Sequence, residues 1–161
     1  MKTTIEDRDL TKQAPRSPRD RFGGFAIIGR TVDKCRASIS GRLGEYHYDC
    51  PLDNQLFGFK GINGEQFKTV VSTSQTYEDV ATWLQSNGAR KTPEEIRAWS
   101  EKVEAAKLKD VFVKHSHAEV QEVTESCRKM GLDFNSATLF EWLEADDRAS
   151  FESHTHMAAH R

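Results

Sequence analysis

The stretch E-Y-H-Y-D-C, residues 45–50, gathers the residue types that could do chemistry. An imidazole, His47, stands between two carboxylates, Glu45 and Asp49. That is the composition of a general base with an orienting partner. Cys50 adds a nucleophile, and Cys35 is a second one. Either thiol becomes reactive only in a basic neighbourhood, which Lys34, Arg36 and His47 are placed to supply. The plainer reading of His47 is an exposed loop histidine, and we prefer it. Cys35 falls on an apolar helix face and reads as core, since free cysteine is among the most buried residue types. Cys50 reads as more open.

A second group of candidates is cationic. Arg16 and Arg19 lie in P-R-S-P-R, and Arg30 and Arg36 lie on the next helix. The guanidinium fork donates paired hydrogen bonds to phosphate or carboxylate. With Asp33 and Asp53 beside them, these residues compose a candidate ligand-binding surface. At the other end, His154, His156 and His160 form H-x-H-x-x-x-H. They lie in a polar tail with no carboxylates to orient the rings, so neither a native metal site nor a cofactor is expected. No phosphate-cradling G-x-x-x-x-G-K-S/T, no G-x-G-x-x-G, no nucleophile elbow and no H-E-x-x-H is present.

The elements that must position these residues are helices. Asp9 heads a turn over Leu10–Gln13 that Pro15 ends, because the residue before proline avoids the helical region. The two prolines of P-R-S-P-R hold the backbone extended and display Arg16 and Arg19. Ile28, Val32, Cys35, Ile39 and Leu43 recur at helical spacing, predicting a helix from Ile27 to Arg42. At 100° per residue, Arg36 falls within the arc of Ile28, Val32 and Leu43, with Asp33 at its edge. Arg36 then either lays its stem on the core and lifts its head to water, or takes a partner, Asp33 being the nearest candidate and Asp49 and Asp53 more distant, while Arg30 and Lys34 point away. F-A-I-I, residues 25–28, is the best strand candidate, but it has no partner strand.

Short helices follow around Leu52–Phe59 and Phe67–Val71. Four helix starts are then predicted from caps: Thr76 with Asp79, Thr92 with Glu95, Ser116 with Glu119, and Asn135 before Leu139. Asp146-Asp147-Arg148 is expected to close the last helix. The prediction is an all-α fold: one compact domain over 8–152, six to eight short helices and an extended N-terminal arm, with residues 1–7 and 153–161 as flexible termini.

The motifs L-T-K-Q-A-P-R-S-P-R, R-T-V-D-K-C-R-A, G-R-L-G-E-Y and C-P-L-D, with T-Y-E-D-V-A-T-W-L and P-E-E-I-R-A-W-S further on, resemble a bacterial family catalogued as a domain of unknown function, DUF5069. The resemblance covers most of the chain. It implies a bacterial, helical protein and carries over no residue role.

The 161 residues are 37% hydrophobic and 30% charged, with a net charge of −2. That composition excludes disordered and membrane-spanning classes. The start M-K-T-T-I-E-D lacks the apolar run of a secretory signal, and three cysteines make no paired framework, so the cytoplasm is expected. Charge is uneven: nine Lys or Arg against three Asp lie between Arg8 and Arg42. Three functions follow. The first is an enzyme or binding protein for an anionic small molecule, using Arg16, Arg19, Arg30, Asp33, Arg36, His47 and Asp53. The second is an interaction module presenting P-R-S-P-R to an acidic protein partner. A nucleic-acid binder ranks last, because the pI is near 6.3 and exposed aromatics do not interleave the basic stretch.

Overall fold

A computed structural model describes residues 2–159, and for 153–159 the backbone alone. The fold is all-α, with eight helices among the described residues. No helix there is long and apolar enough to cross a membrane. The chain divides into two compact units, Met1–Ser100 and Glu101–Arg161, and the division falls within one helix.

The first unit holds α1 (Ile28–Ser40), α2 (Pro51–Lys60), α3 (Gly64–Thr73), α4 (Tyr77–Ser86) and the start of α5 (Pro93–Ala105). Helix α1 packs on both α3 and α4, which also meet each other. F-A-I-I is no strand: Phe25 closes a tight bridge with Phe22, and Phe25 to Ile28 are all fully buried. The helix starts one residue later than the pattern predicts, because Ile27 adopts a left-handed φ of 60°. A β-branched residue is strained there. Its place is held by its amide bonding Pro18 O at 2.9 Å, and by its carbonyl accepting from Thr31 N at 2.9 Å.

Residues 3–5, expected to fray, are paired. Ile5 N donates to Gln75 O and Tyr77 N to Thr3 O, so the chain's start runs along the entry to α4. The turn after Asp9 forms as predicted, its carboxylate accepting from Thr11 N and Oγ1. Pro15 and Pro18 are buried rather than standing clear of the protein. The caps at Thr76 and Thr92 form with their reciprocal bonds. A further one, Asn63 with Gln66, starts α3. Gly88 has φ 70°, and a Cβ there would fall 2.0 Å from the Lys60 carbonyl oxygen, so the turn after α4 admits only glycine.

In the second unit α6 (Leu108–Val111) lies against α8 (Leu139–Ala159), with α7 (His117–Lys129) between them in sequence. Leu108 N donates to Ala137 O and Leu139 N to Ala106 O, both at 3.0 Å. Phe112 meets Phe134 and Trp142 edge-on. The cap at Ser116 forms as predicted. The last helix, however, is capped by Thr138 with Glu141, not by Asn135, whose amide instead bonds Asp133. It also runs on past Asp146-Asp147-Arg148, where closure was expected.

Candidate functional site

Helix α1 is enclosed on nearly every side, so its polar residues are sorted by neighbour rather than by solvent. Nine of its thirteen residues are buried, Arg30, Asp33 and Lys34 among them. The expectation that Arg30 and Lys34 point away from the core is therefore overturned: each is 3% exposed. Two polar clusters result, one on either flank of the helix.

On the first flank Asp33, fully buried, receives the Arg16 amide at 2.9 Å and the Tyr77 hydroxyl at 2.5 Å. Arg8 Nε stands 3.8 Å away. Burial pushes the Asp33 carboxyl above its ordinary 3.8, against the pull of these donors and of Arg8 and Arg16. Tyr77 is pushed up to about 12, first by burial and then by the Asp33 charge. The Arg16 guanidinium lies over the Tyr77 ring at 4.7 Å and pairs with Glu6 at 3.2 Å and Asp20 at 3.4 Å. Arg16 is thus inside the arm's packing, not displayed by it.

Arg36 does not take Asp33 as its partner. It bonds Asp7 at 2.9 Å and the Ser74 carbonyl, while Asp33 is taken by the Arg16 amide and the Tyr77 hydroxyl. Arg30 bonds the Arg16 carbonyl and lies 5.5 Å from the Tyr46 ring centroid. Arg19 is exposed. The four candidate arginines therefore do not converge on one point: Arg16 and Arg36 are held by the chain's own acids.

The second flank is where candidates do meet. Asp53, in the first turn of α2, is fully buried. It accepts from Thr31 Oγ1 at 3.1 Å, from Asp49 N at 2.9 Å and from Lys34 Nζ at 2.9 Å. Lys34 Nζ also donates to Cys50 Sγ at 3.3 Å. Thr31 and Lys34 are three apart on α1 and so share the face that looks onto α2. Cys50 is half-buried at the N-terminal cap of α2, with Pro51 at the first helical position and no side chain capping the turn. Asp49 takes φ 63°, a region asparagine and aspartate enter more readily than most residues, and Asn54 bonds both its carbonyl and its carboxylate. His47 is exposed in the connector just before these residues.

Lys34 is the residue whose role the spacing concealed. It was legible as a cation near the two thiols, but its helical angle placed it away from the core. Cys35 is buried as expected, and burial pushes its thiol up to about 11. Among the described residues no group of three or more His, Cys, Asp and Glu side chains is gathered to hold a metal. His154, His156 and His160 lie outside the described side chains. In the second unit an open hollow of about 420 Å³ between α7 and α8 is lined by Glu122, Glu125, Lys129 and Asp146, an acidic surface that disfavours an anion.

The chain belongs to the family described as a domain of unknown function, DUF5069, whose model matches residues 12–149. Both clusters lie wholly or largely within that match. No curated protein matches the sequence.

Proposed function

We propose that this chain is a bacterial, cytoplasmic protein that binds a small anionic molecule and acts on it through Cys50. The observation that carries this reading is the Lys34 ammonium 3.3 Å from the Cys50 sulfur. It offers a negatively charged reactant a counter-charge beside a nucleophilic atom. The uncapped first turn of α2 adds partial positive charge at the same place. Asp53 and Thr31 act through Lys34 as positioning residues, fixing the amine so that it faces sulfur. Arg16 and Arg36 pair with acids away from the thiol, whereas Lys34, although paired with Asp53, is the cation whose nitrogen also meets the Cys50 sulfur, so this reading places anion recognition at Lys34.

The experiment compares two alkylating probes that share a leaving group and differ in charge, iodoacetate and iodoacetamide, on the full chain carrying Cys35→Ala and Cys127→Ala. The folded protein should favour iodoacetate over iodoacetamide by roughly tenfold relative to the urea-denatured chain, the equivalent of about 1.4 kcal/mol. Lys34→Met should abolish that preference. Equal ratios in folded and denatured protein would refute the reading. The alternative, an interaction module presenting P-R-S-P-R to an acidic protein, draws support from the exposure of Arg19. Against it stand the buried prolines and the pairing of Arg16.

A further inference from the structure

Cys50 differs from a solitary surface thiol in what stands behind it. The Lys34 side chain is 4% exposed, sealed in the protein, and its nitrogen is aimed at the sulfur from within. Cys50 itself is only half-buried, unlike the other two cysteines. Once an oxidant has made that sulfur electrophilic, the nitrogen of Lys34 is the nucleophile already in contact with it. The other thiol of this unit, Cys35, is fully buried.

We propose that Cys50 and Lys34 are a peroxide-responsive pair that closes a sulfur–nitrogen bond between α1 and α2. Hydrogen peroxide takes two electrons from the thiol: a sulfur–oxygen bond forms, the oxygen–oxygen bond breaks, and a sulfenic acid and one water result. Lys34 then passes a proton to Asp53, 2.9 Å away, and its nitrogen lone pair attacks sulfur. The sulfur–oxygen bond breaks, and the departing hydroxide takes a second proton from nitrogen and leaves as water. Asp53 returns its proton to solvent. Thiol, ammonium and peroxide become a sulfenamide, two waters and one proton. The bond removes the Lys34 charge and leaves buried Asp53 with Thr31 and the Asp49 amide alone, so oxidation alters the contact that holds α2 to α1. This inference needs no anionic ligand and goes beyond the binding reading.

The test treats the full chain with hydrogen peroxide, blocks free thiols, and maps tryptic peptides without reductant. The expected product is a peptide pair joined through Lys34 and Cys50, two hydrogens lighter than its parts, with trypsin no longer cutting after Lys34. Dithiothreitol should reverse it, Cys35→Ala should retain it, and Lys34→Arg and Cys50→Ser should lose it. Recovery of Cys50 as sulfinic acid with Lys34 unmodified would overturn the proposal. So would a link that survives Lys34→Arg and vanishes in Cys35→Ala, which is a disulfide. If Lys34→Arg fails to fold, fragment ions of the wild-type peptide still assign the bonded atoms. A cross-link without iodoacetate preference refutes the binding reading alone, and a preference without the cross-link refutes this one alone.

Discussion

Helices α1 and α7 have the same length, thirteen residues, and opposite surroundings. Helix α7 buries Val123 and Cys127 and turns most of its charges to solvent, so its apolar stripe and its Ser116 cap follow from spacing. Helix α1 buries nine residues, including three charged ones. For a helix with a wet side, the hydrophobic arc says which residues face in. For an enclosed helix the arc says only which face is most apolar, and charged residues on the remaining faces meet other elements instead of water. Both clusters with chemical potential sit on α1 for that reason.

The comparison breaks most visibly at Lys34. Replacing it with methionine leaves Asp53 charged, fully buried and short of its cation. Loss of one partner from a buried pair costs roughly 3–5 kcal/mol. Urea unfolding should register a loss of that size, and Lys34→Met with Asp53→Leu should recover most of it, because the orphaned charge is then gone. A single variant within 1 kcal/mol of wild type, a figure of the order expected for exposed pairs, would mean that the α1–α2 pair behaves like a surface contact.

The Asp33 flank is expected to respond less strongly and to depend on pH. Tyr77→Phe removes the 2.5 Å donor to Asp33 and should cost roughly 1–3 kcal/mol. Because burial raises the folded carboxyl above 3.8, folding favours the protonated acid. That contribution is full below 3.8 and is lost as pH rises through the folded value. The Tyr77 hydroxyl holds the folded value down, so Tyr77→Phe should move the decline toward higher pH. Denaturant midpoints across the acid range would show it, and a decline that moves toward lower pH would contradict the account.

These outcomes also mark what was legible in the residues. The all-α architecture and the caps at Thr76, Thr92 and Ser116 were, since each is a local contest between a side chain and its own first turn. Cys35 in the core was legible from its stripe, and Lys34 as a neighbour of thiols from its type. The partner of Arg36 was not. Choosing Asp7 over Asp33 depends on where the N-terminal segment lies against Ser74 to Tyr77, a contact between residues about seventy apart. The left-handed start at Ile27 was hidden because its amide is taken by the Pro18 carbonyl, a bond that helical spacing does not reveal. Asn135 failed as a cap because Thr138 carries both halves of the reciprocal pattern with Glu141.

The smallest expected effect sharpens the contrast from the α7 side. Arg128 bonds Glu125 three residues earlier, yet its side chain is 75% exposed and that of its partner 48%. Ordering two long side chains in water opposes the attraction, and salt screens what remains. Arg128→Ala should therefore change stability by no more than about 0.5 kcal/mol, and by less as salt is raised. The bond itself is as direct as any on α1, so contact geometry predicts the opposite ranking. If Arg128→Ala costs as much as Tyr77→Phe in parallel urea titrations, enclosure is not what separates the two helices, and the weight placed on α1 as the helix that carries the chemistry falls with it.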